Sequence, residues 1–217
     1  MYYKEGVMGR AKNVRKSENA DKLTVRSFGG LSIYHQGSPI SIIWESQKAR
    51  LLFSYLLITN DQWVHRDKFI EMLWPGCESN AGSNNFKTTL SRLRKSFSGP
   101  RVINPVMTQG EAVRINIHDI EVDASQFKLQ AFSGIKFLSR GESKSAKECL
   151  ESALDLYTGE FLPEEPFNEF INNARKEFAE LHSSVIRYLE RIYQQEGNKD
   201  TLEAFHLLNK SLVTNPS

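Results

Sequence analysis

The sequence predicts an α+β domain built around a basic surface helix, followed by an all-α domain of antiparallel helix pairs. Three observations carry that prediction. Apolar residues recur at strand-like spacing early in the 217-residue chain and at helical spacing afterwards. Residues 84–98, NNFKTTLSRLRKSFS, pair a narrow apolar face with a cationic one. Charge also divides along the chain. Residues 1–100 hold 15 Lys/Arg against 8 Asp/Glu, whereas residues 101–217 hold 13 against 18, so that only the first half suits a polyanion.

Residues 1–22 are basic, lack an apolar period and read as a mobile tail or linker. Three short antiparallel strands are expected next. Leu23, Val25 and Phe28 precede Gly29-Gly30, and Leu31, Ile33 and Tyr34 precede a turn at 35–39. Ile40, Ile42 and Ile43 follow that turn. Ser46 then caps a helix whose apolar stripe is Ala49, Leu52, Phe53, Leu56 and Leu57. Gln47, Lys48 and Arg50 lie at its first turn, where free N–H groups favour a phosphate. A break at 60–62 leads to a second helix with Phe69, Ile70, Leu73 and Trp74 on its buried side, ended by Pro75-Gly76.

After a Gly, Ser and Asn-rich loop over 76–83 comes the basic helix. Phe86, Leu90, Leu93 and Phe97 form its apolar face. Asn84, Thr88, Ser91, Arg92 and Lys95 lie opposite, with Lys87 and Arg94 on a flank, and no carboxylate among them. Solvated helix faces usually mix the two signs. A cationic face rich in amides and hydroxyls suits phosphates and base edges in a major groove, and a plain solvated basic face is the other reading. A β-hairpin around Gln109-Gly110-Glu111 follows, with Arg101 and Arg114 placed to reach a duplex backbone. Three helices and a hairpin in this order make a winged helix-turn-helix with a long turn.

From about Val122 the pattern turns to long helices at 142–157, 168–195 and 201–213, with acidic polar faces. Such pairs form an α-solenoid of the tetratricopeptide kind. The chain stops at Asn215-Pro216-Ser217, where a helical stack needs a further pair, so a truncated domain is expected.

The segments VRSFGGLSIYHQG, SQKARLLFSYLL, VHRDKFIEMLWPG, NNFKTTLSRLRKSF and IEVDASQF together resemble the Streptomyces antibiotic regulatory protein family. Its members carry an OmpR-type winged helix-turn-helix and then a bacterial transcriptional activator domain, whose opening LDLYTGEFLPEEPFNEFINNARKEFAELH resembles. The resemblance runs from about Leu23 to the chain end. It implies an OmpR-like domain over 23–120 and an activator domain over 121–217. It implies DNA contacts at Lys87, Thr88, Ser91, Arg92, Arg94 and Lys95, and phosphate contacts at Gln47, Lys48 and Arg50. The chain has Ala112-Val113-Arg114 where members often have Gly-Tyr-Arg, His65 where a Ser or Thr caps the second helix, and Phe170 where a Trp is common. A homodimer, direct-repeat DNA and contact with RNA polymerase are further implications of the resemblance.

Other chemistries find little support. The five histidines are scattered, and Cys77 and Cys149 form no metal motif, which fits a reducing cytoplasm. There is no GxxxxGK[ST] or GxGxxG, and no apolar run reaches the roughly 20 residues that cross a bilayer. Trp44, Trp63 and Trp74 read as core, and Glu164-Glu165 as a solvated turn. No enzyme activity, cofactor, metal or membrane contact is expected. Two functions remain. One is a sequence-specific double-stranded DNA-binding regulator, an activator in the family's manner, with Asn84, Thr88, Ser91 and Arg92 or Lys95 reading bases. The other is a helical-repeat scaffold whose winged domain binds protein. The carboxylate-free face favours DNA.

Overall fold

The computed structural model describes residues 22–59, 62–98 and 103–197. The basic segment before residue 22, the break at 60–61, Arg101 and the helix expected over 201–213 lie outside the described residues. In chain order the elements are β1 (Leu23–Arg26), β2 (Ser32–His35), β3 (Ser38–Ile40), α1 (Gln47–Thr59), β4 (Val64–His65), α2 (Arg66–Leu73) and α3 (Ser79–Ser96). Then come β5 (Val106–Gln109), β6 (Ala112–Ile115), β7 (Ile120–Val122), α4 (Asp123–Ser139), α5 (Ser143–Leu156) and α6 (Glu169–Glu196). A mixed α/β region thus precedes a helical one.

The chain divides into two compact units that are not contiguous in sequence. The second takes in Arg26–Leu31 and Leu51–Asn60 as well as the chain from Val122 onward, and the first takes in the rest.

In the first unit β1 buries Leu23 and Val25 and exposes Thr24 and Arg26, the period of two that a half-covered strand requires. The sheet order is β3-β2-β1-β7, so a fourth strand joins the three expected ones. Gln36 and Gly37, at φ 52° and 79°, make the tight turn between β2 and β3, because paired positive φ values match strand twist. The expected third strand stops at Ile40. Ile40 and Ile43 are exposed, the latter at 83%; Ile40 ends the edge strand β3, which pairs only with β2, and Ile43 lies beyond it.

Ser46 caps α1 as its sequence predicts, its Oγ accepting from Ala49 N–H at 3.1 Å. His65 occupies the cap position of α2, with Nδ1 accepting from Asp67 N–H at 3.4 Å. The basic helix starts earlier than expected. Residues 79–83, read as loop, are its first turns. Gly82 is buried there, and a Cβ on it would stand 2.6 Å from Ile70 Cγ2. The glycine that looks like a loop residue therefore lets α3 lie close against α2, and packing overrides propensity. Phe86 stacks on Phe69 at 6.4 Å, and Phe97 meets Trp44 edge-on at 5.9 Å. The tryptophans correct another expectation, since Trp44 and Trp74 are half-buried and Trp63 is exposed.

The second unit is built around Phe28. Its ring meets Phe127 at 5.5 Å, Tyr157 at 4.7 Å, Phe161 at 5.9 Å and Phe178 at 5.2 Å. Backbone bonds from Gly29 N–H to Glu160 O (2.8 Å) and Leu162 N–H to Ser27 O (2.9 Å) hold this early segment in place. Asp123, buried, accepts from Ser27 N–H, Ser27 Oγ, Phe28 N–H and Ala124 N–H. The loop before α6 is pinned by Arg175, which donates to Phe161 O at 2.9 Å and Leu162 O at 2.7 Å and pairs with Glu160 at 3.0 Å. That clamp holds buried Leu162 at φ 45°, a conformation costly for a branched side chain.

Helices α5 and α6 lie where helical spacing places them. Helix α4 is an addition to the helices expected, and its buried Ala124, Phe127, Ala131 and Gly134 follow a helical period. Asn168 caps α6 by accepting from Ile171 N–H at 3.1 Å and donates to Tyr55 OH at 2.8 Å. Tyr193 donates to Glu151 at 2.7 Å and Lys147 pairs with Glu196 at 2.6 Å, fastening α5 to α6.

Candidate nucleic-acid interface

The residues singled out from sequence fall on three elements of the first unit. Helix α3 runs for 18 residues with Gly82, Phe86, Thr89, Leu90 and Leu93 buried. That stripe turns Asn84, Lys87, Thr88, Ser91, Arg92 and Lys95 outward, all exposed, while Arg94 is half-buried. No Asp or Glu lies between Ser79 and Ser96. The exposed face therefore has a uniform positive sign, with amide and hydroxyl groups between the cations.

Within this face the cations differ in freedom. Lys87 and Arg92 have no ion-pair partner among the described residues. Lys95 Nζ pairs with Glu45 Oε2 at 3.0 Å, with the lysine side chain 68% exposed, so the pair contributes little and can exchange. Arg94 Nε donates to Asn104 Oδ1 at 3.3 Å, which ties it toward the chain leading into the hairpin. Thr88 Oγ1 donates to Asn84 O at 3.0 Å, one helical turn back, leaving its acceptor positions outward.

The start of α1 is held beside the end of α3. Glu45 N–H donates to Ser96 Oγ at 3.0 Å, and the Lys95–Glu45 pair spans the same junction. Gln47 and Lys48 are exposed and Arg50 half-buried. The Lys48 ammonium is engaged, donating to Leu73 O and sitting 5.7 Å above the Trp74 ring. Arg114 projects from β6, its guanidinium 4.5 Å above the Trp63 ring and Nη2 donating to Met107 Sδ at 3.6 Å. The hairpin turn is anchored to the start of α2: Arg66 N–H donates to Glu111 O at 2.9 Å, and the Arg66 and His65 side chains meet the Glu111 carboxylate.

Sequence reasoning missed the supports of these groups, namely Glu45, Asn104, Trp63 and Met107. For Glu45 and Asn104 no local signal exists, since each meets its partner through the fold. For Trp63 and Met107 the signal is the register of β4, β6 and β5, and β4 is two residues long.

The described residues contain no group of three or more His, Cys, Asp and Glu that could hold a metal ion, and no helix among them is long and apolar enough to cross a membrane.

Residues 122–215 match the bacterial transcriptional activator domain. The fold is similar to that of Mycobacterium tuberculosis EmbR, in a structure of EmbR in complex with a low affinity phosphopeptide, with a TM-score of 0.65 and 18% sequence identity. The alignment covers 84% of this chain and 48% of that one, so this chain spans about half the length of EmbR. Among curated proteins none matches the chain. The match over residues 122–215 supports a transcriptional activator family, and the likeness to EmbR shows the fold, a mixed α/β region followed by a helical one.

Proposed function

We propose that the chain is a sequence-specific double-stranded DNA-binding transcriptional regulator acting as an activator, and not an enzyme. The observation that carries this reading is the carboxylate-free outward face of α3, with Asn84, Lys87, Thr88, Ser91, Arg92 and Lys95 exposed on one helix. In this reading α1 to α3 and the β5–β6 hairpin are an OmpR-type winged helix-turn-helix, as in the Streptomyces antibiotic regulatory protein family. Helix α3 enters the major groove. Lys87 and Arg92 set register on phosphates, Asn84, Thr88 and Ser91 meet base edges, and the first turn of α1 meets the backbone. The helical domain, of tetratricopeptide kind, supports binding by two or more copies on direct repeats and meets RNA polymerase. Leu129 and Phe132 on α4, each 58% exposed, favour protein contact by that domain.

The test is selection of binding sites from a random duplex pool, followed by anisotropy across salt. An enriched repeat whose affinity falls steeply with salt is the expected result. No enrichment, with capture of protein partners through the first unit, would replace it with the scaffold reading.

A further inference from the structure

The three-stranded sheet order is β4-β6-β5. Val64 faces Val113 and His65 faces Ala112 between β4 and β6, while Met107 faces Arg114 between β5 and β6. Carrying the β4 register back one residue puts Trp63 opposite Arg114. Trp63, Arg114 and Met107 therefore form one row across the sheet. The contacts agree, with the guanidinium 4.5 Å from the indole centroid on one side and 3.6 Å from the thioether sulfur on the other. Val113 and Ile115 are buried, so alternation puts this row on the opposite, outer face. Trp63 is 39% exposed there, at the end of the row with Arg114 beside it.

We propose that Trp63 is a positioning residue for nucleic-acid binding, holding the Arg114 guanidinium over its ring while Met107 Sδ accepts from Nη2, so that Arg114 meets a backbone phosphate in a set orientation. The inference rests on the DNA-binding reading of α3. A free arginine loses much rotamer freedom when it takes a phosphate. One already held against an aromatic ring has lost part of it beforehand, and a guanidinium so placed meets a phosphate through N–H groups in its own plane. The hairpin follows α3 directly in the chain, which makes a phosphate the acceptor this surface fits.

The test uses the full 217-residue chain and a labelled duplex of random sequence, with affinity followed by anisotropy across salt. Thermal melts check that each variant is folded. Trp63→Ala is expected to weaken binding about threefold to tenfold, the range of a partly exposed cation–π contact, while Trp63→Phe stays within about twofold of the parent. Arg114→Ala should lower the salt slope by about one. In the Arg114→Ala background, Trp63→Ala should cost nothing further, since its effect passes through the arginine. An equal loss in both backgrounds, or parental affinity in Trp63→Ala, overturns the positioning role while leaving DNA binding intact. A parent chain with no salt-dependent affinity for duplex overturns the DNA reading and this inference with it.

Discussion

Asp123 receives four hydrogen bonds, three of them from backbone N–H groups, and each donor loses its partner if the carboxylate is removed. Asp123→Ala should therefore cost about 3 kcal/mol, since stranded buried donors carry their full desolvation penalty. A denaturant titration measures it. Burial pushes this carboxyl above its ordinary 3.8 even though the donors pull it down, so its contribution to stability declines as pH rises through the folded value. His182 has the opposite sign. Burial, with the ring stacked on Tyr157 at 4.0 Å, pushes the imidazole down from 6.5 to about 4. Between those values the unfolded chain takes a proton that the folded chain refuses, so stability is lost as pH falls from 6.5 toward 4. His182→Phe keeps the stack and removes the titration. Its melting temperature should drop less between pH 7 and pH 5 than the parent's, and an equal drop would show that His182 does not govern this window.

At the level of elements, α4 and α5 approach through a glycine. A Cβ on Gly134 would fall 2.6 Å from Leu150 Cγ and 3.2 Å from Ala146 O. Alanine improves helix propensity by about 1 kcal/mol, but overpacking costs more, so Gly134→Ala should destabilise by a net of about 1–2 kcal/mol. A higher melting temperature would mean that the helices part without cost. On α3 the useful substitution is Lys87→Glu. Lys95→Glu would also place two carboxylates together, because Lys95 already meets Glu45 at 3.0 Å. Lys87 has no such neighbour among the described residues, so its reversal should lower duplex affinity about tenfold or more with the melting temperature unchanged. The composition of that face was legible beforehand, because a helix period and side-chain chemistry are local properties. The start of the helix was not, since Gly82 signals a loop locally and serves close packing in the fold. Helix α4 carries the period that identifies a helix, yet its mean spacing is broken by outward Leu129 and Phe132, each 58% exposed, which blur the contrast between its faces.

For the whole molecule, the order of residues and the order of packing differ. Phe28 and the segment Leu51–Asn60 belong to the second unit although they precede most of the first. A fragment starting at Val122 lacks both, and the loss of Phe28 alone is worth about 3–5 kcal/mol for a buried phenyl ring. Such a fragment should melt at lower temperature and with less cooperativity than the same residues in the full chain, as read by circular dichroism. Equal stability would mean that Phe28 only rests on a finished core. By itself the sequence determined the three early strands, the helices α1, α2, α5 and α6, the separation of basic from acidic halves, and the side chains offered on the outer face of α3. Those follow from periodicity and charge, which act between near neighbours along the chain. Only the tertiary structure decided that Phe28 closes the second unit, that Trp63 carries Arg114, and that Glu45 and Asn104 restrain Lys95 and Arg94. Each of these joins residues distant in sequence through strand register or aromatic packing, and no local pattern encodes which distant partner burial will select.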